Sequence, residues 1–235
     1  MFKIKIAGIN VLVENKYKYS EYLCRDYITD ESDTDFSVCA DENEVLEEIQ
    51  NAENPTNEAY AESVCIHRAI AERLAEYDAF LLHSALIECD GAGVAFAARS
   101  GVGKTTHISL WKKVFGDRVR IINGDKPIVR MIDGEFYGYG TPWLGKENCG
   151  ENSRCKFKSL CFLKRGEENK IASVPPEIAA MAMFSQIYLP TDGENAAKTL
   201  DLADKFASSV SFFELWCNMN DEAAEVSYNA IIKGK

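Results

Sequence analysis

Apolar and polar residues alternate along "FKIKIAGINVLVE", residues 2–14, which predicts a pair of strands with one face in solvent. "YLCRDYIT" (22–29) and "DFSVCA" (35–40) predict two further short strands, separated by the acidic turn "DESDTD". The pattern then changes. "DENEVLEEIQ" (41–50) predicts a short acidic helix capped by Asp41, "NAENPTNEA" breaks it, and residues 58–77 predict a longer amphipathic helix. "AFLLHSALIE" (79–88) and "GVAFAA" (93–98) are apolar runs joined by the turn "CDGAG", and they predict buried strands. After them, Ile108, Leu110, Trp111, Val114 and Phe115 share one face of a helix that starts near Lys104. "RVRIING" predicts a strand, "DKPIVRMIDGEFYGYG" a hairpin turning at "IDGE", and "KFKSLCFLKR" another strand. "PPEIAAMAMFSQIYL" predicts a helix opened by prolines, and the C-terminal stretches "NAAKTLDLADKFASSV", "SFFELWC" and "DEAAEVSYNAIIK" predict helix, strand, helix. The series predicts an α/β fold of α+β character with a mixed sheet. It divides into a small sheet-and-helix region, 1–78, and a core, 79–235.

Composition narrows the classes. With 46% hydrophobic residues, the 235-residue chain can build a core of ordinary size. The start, "MFKIKIAGIN", lacks a signal-peptide core, and no apolar run approaches membrane-spanning length, so a cytoplasmic protein without membrane contact is expected. Eight cysteines form no C-x-x-C pair, and Cys149, Cys155 and Cys161 recur every six residues with only His67, His83 and His107 to complete a mixed metal site. Reduced thiols are the expectation. Residues 1–80 carry 18 acids and 7 bases, which accounts for the whole net charge of −11, whereas residues 99–130 carry 8 bases and 2 acids. A local basic zone suits a polyphosphate ligand, and the acidic appendage argues against nucleic acid as a partner.

The zone contains "FAARSGVGKTTHISLW", residues 96–111. Ala98 stands where a phosphate loop usually opens on glycine, and Arg99, Ser100, Gly101, Val102, Gly103, Lys104 and Thr105 follow in the remaining pattern. Gly101 and Gly103 let backbone N–H groups converge on a phosphate, and the helix beginning at Lys104 adds its unpaired N–H groups. Lys104 can reach terminal phosphates, the Thr105 hydroxyl can ligate Mg²⁺, and Thr106 offers a second hydroxyl. These residues predict binding of ATP or another nucleoside triphosphate. Phosphoryl transfer also needs a carboxylate, and Asp125 in "RVRIINGDKPIVR" stands at the end of the next core strand; Asp117 in "FGDR" is the weaker candidate.

Over residues 80–130, "LLHSALIECDGAGVAFAARSGVGKTTHISLW…RIINGDKPIVR" resembles the catalytic core of the HPr kinase/phosphorylase family. It is also similar to the phosphate loop of ATP-dependent phosphoenolpyruvate carboxykinase. "YGTPWLGKE" and "FFELWCNMNDEAAEV" look like pieces of relatives of that kinase. The resemblance implies a phosphate-loop kinase core in which Lys104 neutralises the transferred phosphate, Thr105 binds Mg²⁺, and Asp125 is the general base, or the Mg²⁺ carboxylate, or both by turns. It implies a place for His83 beside the phosphates, supporting Asp125. Lys126 departs from the family, which has a second acid there, and Glu135 is the nearest stand-in for its later metal-binding Glu.

The leading reading is an ATP-dependent kinase acting on a hydroxyl, either Ser on a small protein or peptide or a small metabolite. Arg120, Arg130, Lys146 and Arg154 are candidates for gripping an anionic acceptor or the nucleotide, and the polar loop "TPWLGKENCGENSR" is a candidate functional segment. The alternative is a nucleotide-binding sensor or assembly module with little or no catalysis, docked through its acidic N-terminal region. Carboxykinase activity is disfavoured, because the chain is short and no His and Lys cluster for Mn²⁺ is evident. A homo-oligomer is compatible with either reading. Every motif lies beyond residue 80, so residues 79–235 are expected to bind nucleotide by themselves.

Overall fold

A computed structural model describes residues 1–52, 54–99, 101–145 and 147–234. The chain opens on a hairpin, β1 (Phe2–Ile6) and β2 (Ile9–Glu14), whose register pairs Phe2 with Val13 and Ile6 with Ile9. β3 (Phe36–Cys39) adds to β2 in parallel. Between them the chain is helical where "YLCRDYIT" predicts a strand: α1 (Lys18–Leu23) is followed by a 3₁₀ turn, Arg25–Tyr27. The cause is a tertiary contact. The buried carboxylate of Glu62 accepts from the N–H groups of Lys16 and Tyr17 and from the Ser20 hydroxyl, so a negative charge sits at the start of α1. α2 (Glu42–Asn51) opens on the Asp41 capping box, and α3 (Glu58–Arg73) on an Asn57 cap.

The larger sheet has the order β4-β8-β9-β10-β6-β5-β7. Its strands are β4 (Ala79–Leu81), β5 (Ala85–Cys89), β6 (Ala92–Ala97), β7 (Val119–Asn123), β8 (Ile128–Ile132), β9 (Glu135–Tyr139) and β10 (Arg154–Arg165). The twelve residues of β10 let it pair with β9 through its first part, with β6 in parallel along its middle, and with β12 (Ser211–Cys217) in parallel through its second part. β11 (Lys170–Val174), which the sequence pattern does not announce, closes the outer edge against β12. The sheet is therefore mixed and curled.

Helices cover both sides. α4 (Lys104–Phe115) and α7 (Glu222–Ile231) pack around Phe96, Ile108, Trp111 and Tyr228. On another side, α5 (Pro176–Phe184) and α6 (Gly193–Ser209) bury Met183 and Phe206, and Phe206 meets the rings of Phe80, Phe136 and Phe157 edge-on at 4.9–5.5 Å between centroids. A third apolar cluster holds the N-terminal sheet and α3, and it includes Ala79, Leu81 and Ile128 of the larger sheet. The two regions meet through that shared apolar cluster. No helix among the described residues is long and apolar enough to cross a membrane.

"AFLLHSALIE" predicts one strand but forms two, because its halves have different partners. β4 pairs with β8, whereas β5 pairs with β6 and β7. Between them the Leu82 N–H donates to Pro127 O, His83 N–H to Gln186 O and Ser84 N–H to Asp125 O. The break leaves His83 at a corner beside Asp125.

Candidate phosphate site

β6 is buried between β5 and β10, and from its end the chain turns through residues 98–103 into α4. Gly101 (φ +77°) and Gly103 (φ +120°) both sit where a side chain strains the backbone. A Cβ at Gly101 would meet nothing within 4 Å, so conformation and not crowding calls for glycine there. Gly103 supplies no side-chain cap to α4, which leaves the first-turn N–H groups for a ligand. Arg165, the last residue of β10, donates to the Gly101 carbonyl at 2.6 Å and ties the loop to the sheet. The Val102 side chain packs against the Trp111 cluster, and its N–H bonds the Arg99 carbonyl. Ser100, named above for phosphate, lies outside the described residues.

Three of the predicted residues converge at the start of α4. Lys104, only 9% exposed, places Nζ 2.8 Å from His83 Nε2 and 3.6 Å from Asp125 Oδ1. His83 Nε2 is 3.2 Å from the same Oδ1. A neutral imidazole nitrogen either accepts from the ammonium or donates to the carboxylate, so the proton's position decides which neighbour His83 bonds. Burial pushes the Lys104 ammonium below its ordinary pKa, with the Asp125 charge opposing. Burial pushes the Asp125 carboxyl up, but the His83 hydrogen bond and the charges of Lys104 and Lys126 outweigh it and hold the group below its ordinary value.

Asp125 is fixed by its neighbours. Fully buried Asn123, at the end of β7, accepts through Oδ1 from the N–H groups of Asp125 (2.8 Å) and Lys126 (2.6 Å). Its Nδ2 donates to Thr141 Oγ1 at 2.9 Å, and the Thr141 hydroxyl donates to Lys126 O. The side chain thus closes a tight turn over Gly124 and anchors it to the following loop. That loop lies against the carboxylate: a Cβ at Gly145 would stand 2.9 Å from Asp125 Cβ.

Around these groups is a cleft of about 800 Å³. One wall is the glycine loop with Thr105 and Thr106, and beside it stand His83, Asp125 and Lys126. The loop of residues 142–148 gives Pro142, Trp143, Leu144, Gly145, Glu147 and Asn148. The remaining wall comes from the N-terminal region: Tyr19, Leu23, Tyr60, Ser63, Val64 and His67. None of these last six carries a local sequence signal for a site. Tyr19 falls in no predicted element, Tyr60 reads as an ordinary helical residue, and His67 as one position of an amphipathic helix. Trp143 joins the walls, stacking on His67 at 4.3 Å and donating to Ser63 O at 3.1 Å.

Other candidates are placed elsewhere. Arg120 pairs with Glu88 and Glu151, Arg130 donates to Ala7 O at 2.7 Å, and Arg154 lies over the rings of Tyr137 and Tyr139. Glu135 pairs with Lys156 on the β8–β9 hairpin, and Asp117 sits on the surface near Lys112. None of them lines the cleft. Lys146 lies outside the described residues. His107 is a core residue, pushed by burial to a pKa of about 3 and accepting from Trp111 Nε1. All eight cysteines are free thiols, and the described residues contain no group of three or more His, Cys, Asp or Glu able to hold a metal.

Fold and site together define a mixed α/β protein with a strand, glycine loop and helix facing a carboxylate and an imidazole. No family model and no curated protein matches the chain. Among solved structures it is similar to the Hpr(Ser) kinase/phosphatase from Coxiella burnetii, with 9% identity and a TM-score of 0.37, over 66% of this chain and 97% of that one. At those values the likeness carries no weight for chemistry or for site residues.

Proposed function

We propose that this protein transfers the terminal phosphoryl group of ATP, or of another nucleoside triphosphate, to a hydroxyl. The observation that carries the reading is the meeting of Lys104, at the end of the glycine loop, with the ionised carboxylate of Asp125 and the His83 imidazole in one open cleft. The backbone N–H groups of the loop and of α4 hold the phosphate chain, and Lys104 turns from Asp125 to the transferred group. The acceptor oxygen attacks the terminal phosphorus, the bond to the bridging oxygen breaks, and the diphosphate leaves with that electron pair. Asp125 takes the acceptor's proton, with His83 holding the carboxylate in place.

Thr105 and Asp125 present hard oxygen donors in the same cleft, a set that fits Mg²⁺ delivered with its phosphates and several waters. When bound there, Mg²⁺ supplies positive charge to the phosphate oxygens. A nucleotide-sensing module is the second reading, favoured by one observation: Asp125 is followed by Lys126, so the carboxylate has a cation where a second acid would stand.

Assays with γ-labelled ATP and alcohol acceptors test the proposal, and their pH profile tests the role of Asp125. A base must be deprotonated, and the free protein holds this carboxyl below its ordinary value. The acid limb of kcat/KM, which reports free enzyme, should therefore lie below the ordinary range of an aspartate. No transfer to any acceptor by protein that binds ADP would decide for the sensing module.

A further inference from the structure

The cleft of about 800 Å³ is larger than a chain of phosphates on the glycine loop would fill, which leaves room for the rest of the nucleotide. On α3 its lining residues are Tyr60, Ser63, Val64 and His67, spaced i, i+3, i+4 and i+7, so a single stripe of that helix borders the cleft. Val64 and His67 also share a smaller cavity with His83 and Lys126, which puts their end of the stripe beside the residues that meet Lys104 and Asp125. Tyr60 is seven residues from His67, two helical turns or about 10 Å along the axis. That span is comparable with the reach from terminal phosphate to base in an extended nucleoside triphosphate.

The far end of the stripe is aromatic and open. Tyr60 is 50% exposed, and Tyr19 of α1, 37% exposed, stands beside it with 6.3 Å between ring centroids and 47° between ring planes. One exposed ring on a surface needs no explanation, but two adjoining rings on the wall of a cleft do. Half-buried Leu23 and Val64 extend the same wall. None of its six residues carries a charge, since burial holds the His67 ring well below its ordinary pKa and therefore neutral. Such a surface has nothing to attract a phosphate, whereas its rings suit the planar π face of a nucleobase.

We propose that the Tyr19 and Tyr60 wall is the nucleoside subsite: the base of the bound nucleotide lies against these rings while its phosphates rest on residues 101–106. This rests on the nucleotide reading above and adds how the remainder of the nucleotide is held. The base is joined to the phosphates, so it must come to rest within its own length of the glycine loop, and the two tyrosines stand in the same cleft at about that distance. The core then supplies the phosphate contacts and the N-terminal region the base contacts, with the nucleotide spanning both.

The test uses the full chain and compares ADP with inorganic pyrophosphate, which has the phosphates without the nucleoside, by isothermal titration. Tyr19→Ala and Tyr60→Ala combined should weaken ADP about tenfold or more, the contribution of a base stacked on an aromatic side chain, and leave pyrophosphate within about twofold of wild type. Tyr19→Phe and Tyr60→Phe combined, which keep both rings, should bind ADP as wild type does. Folding should survive either change, because both rings are partly exposed and the hydrogen bonds of Asn57 and Ser63 reach only the backbone of residue 60. Unchanged ADP affinity in the alanine variant, with or without a raised KM for an acceptor, would overturn the subsite. So would equal losses of ADP and pyrophosphate, or a phenylalanine variant as weak as the alanine one. Failure of the wild type to bind either compound would instead overturn the phosphate site itself, and the subsite with it.

Discussion

Asp125→Asn is expected to cut phosphoryl transfer by ~10²–10⁴-fold, the usual contribution of a general base. The amide keeps the size of the side chain, and the turn that positions residue 125 is made by Asn123 with backbone N–H groups, so the geometry should survive. What disappears is the ability to take a proton, together with the charge that faces Lys104 and His83. Metal-free ADP should bind within several-fold of wild type, because the glycine loop and Lys104 are untouched. Loss of the carboxylate also frees Lys104, which removes one competitor for the phosphates. Undiminished transfer by this variant would exclude Asp125 as the base, and measuring ADP affinity on the same protein separates a lost base from a folding defect.

Removing residues 1–78 should have the next largest effect, on stability. Every motif lies beyond residue 80, which by itself suggests a core able to stand alone, but the packing argues the reverse. Leu81 and Ile128 are 7% and 1% exposed, and they share their apolar cluster with the N-terminal sheet and α3. Truncation would also strip Trp143 of His67 and Ser63, and Arg130 of the Ala7 carbonyl. At roughly 1.5–3 kcal/mol for each large apolar side chain exposed, two or three such residues take much of the 5–15 kcal/mol that separates a domain from its unfolded state. Residues 79–235 should therefore lose a cooperative thermal transition or melt more than 10 °C lower (about 2–4 °C per kcal/mol at this size), and bind ADP poorly. A truncated protein that melts within a few degrees of the full chain and binds ADP equally well would show two independent units.

The parts of this molecule legible in its sequence are those governed by local physics. The glycine loop is one, because its backbone conformation restricts residue choice at positions 101 and 103. The hairpin at "IDGE" is another, since Asp133 and Gly134 both take positive φ. The capping box at Asp41 is a third. What local pattern missed was decided at a distance. The start of α1 answers to Glu62, more than forty residues further on, so a strand-like pattern became a helix. The break at His83 depends on β8 and on the Gln186 carbonyl, neither of which marks residues 79–88 themselves. β11 is a short edge strand without a buried face, so no alternation announces it. The N-terminal wall of the cleft is the largest omission. Tyr60, Ser63, Val64 and His67 have the composition of an ordinary helix, and only the packing of α3 against Trp143 puts them in the cleft, while Tyr19 and Leu23 come from α1, where no helix is predicted.

The central claim is that nucleotide phosphates seat on residues 101–106, facing His83 and Asp125. An ADP titration of isotope-labelled protein, followed through backbone amide resonances, tests it most directly. The largest shifts should fall on Gly101, Gly103, Lys104, Thr105 and Thr106, with smaller ones at His83 and Asp125, and Lys104→Ala should abolish them at the same ADP concentration while the rest of the spectrum stays that of a folded protein. Shifts centred elsewhere, or unchanged in the Lys104→Ala protein, would contradict the assignment of this cleft to nucleotide.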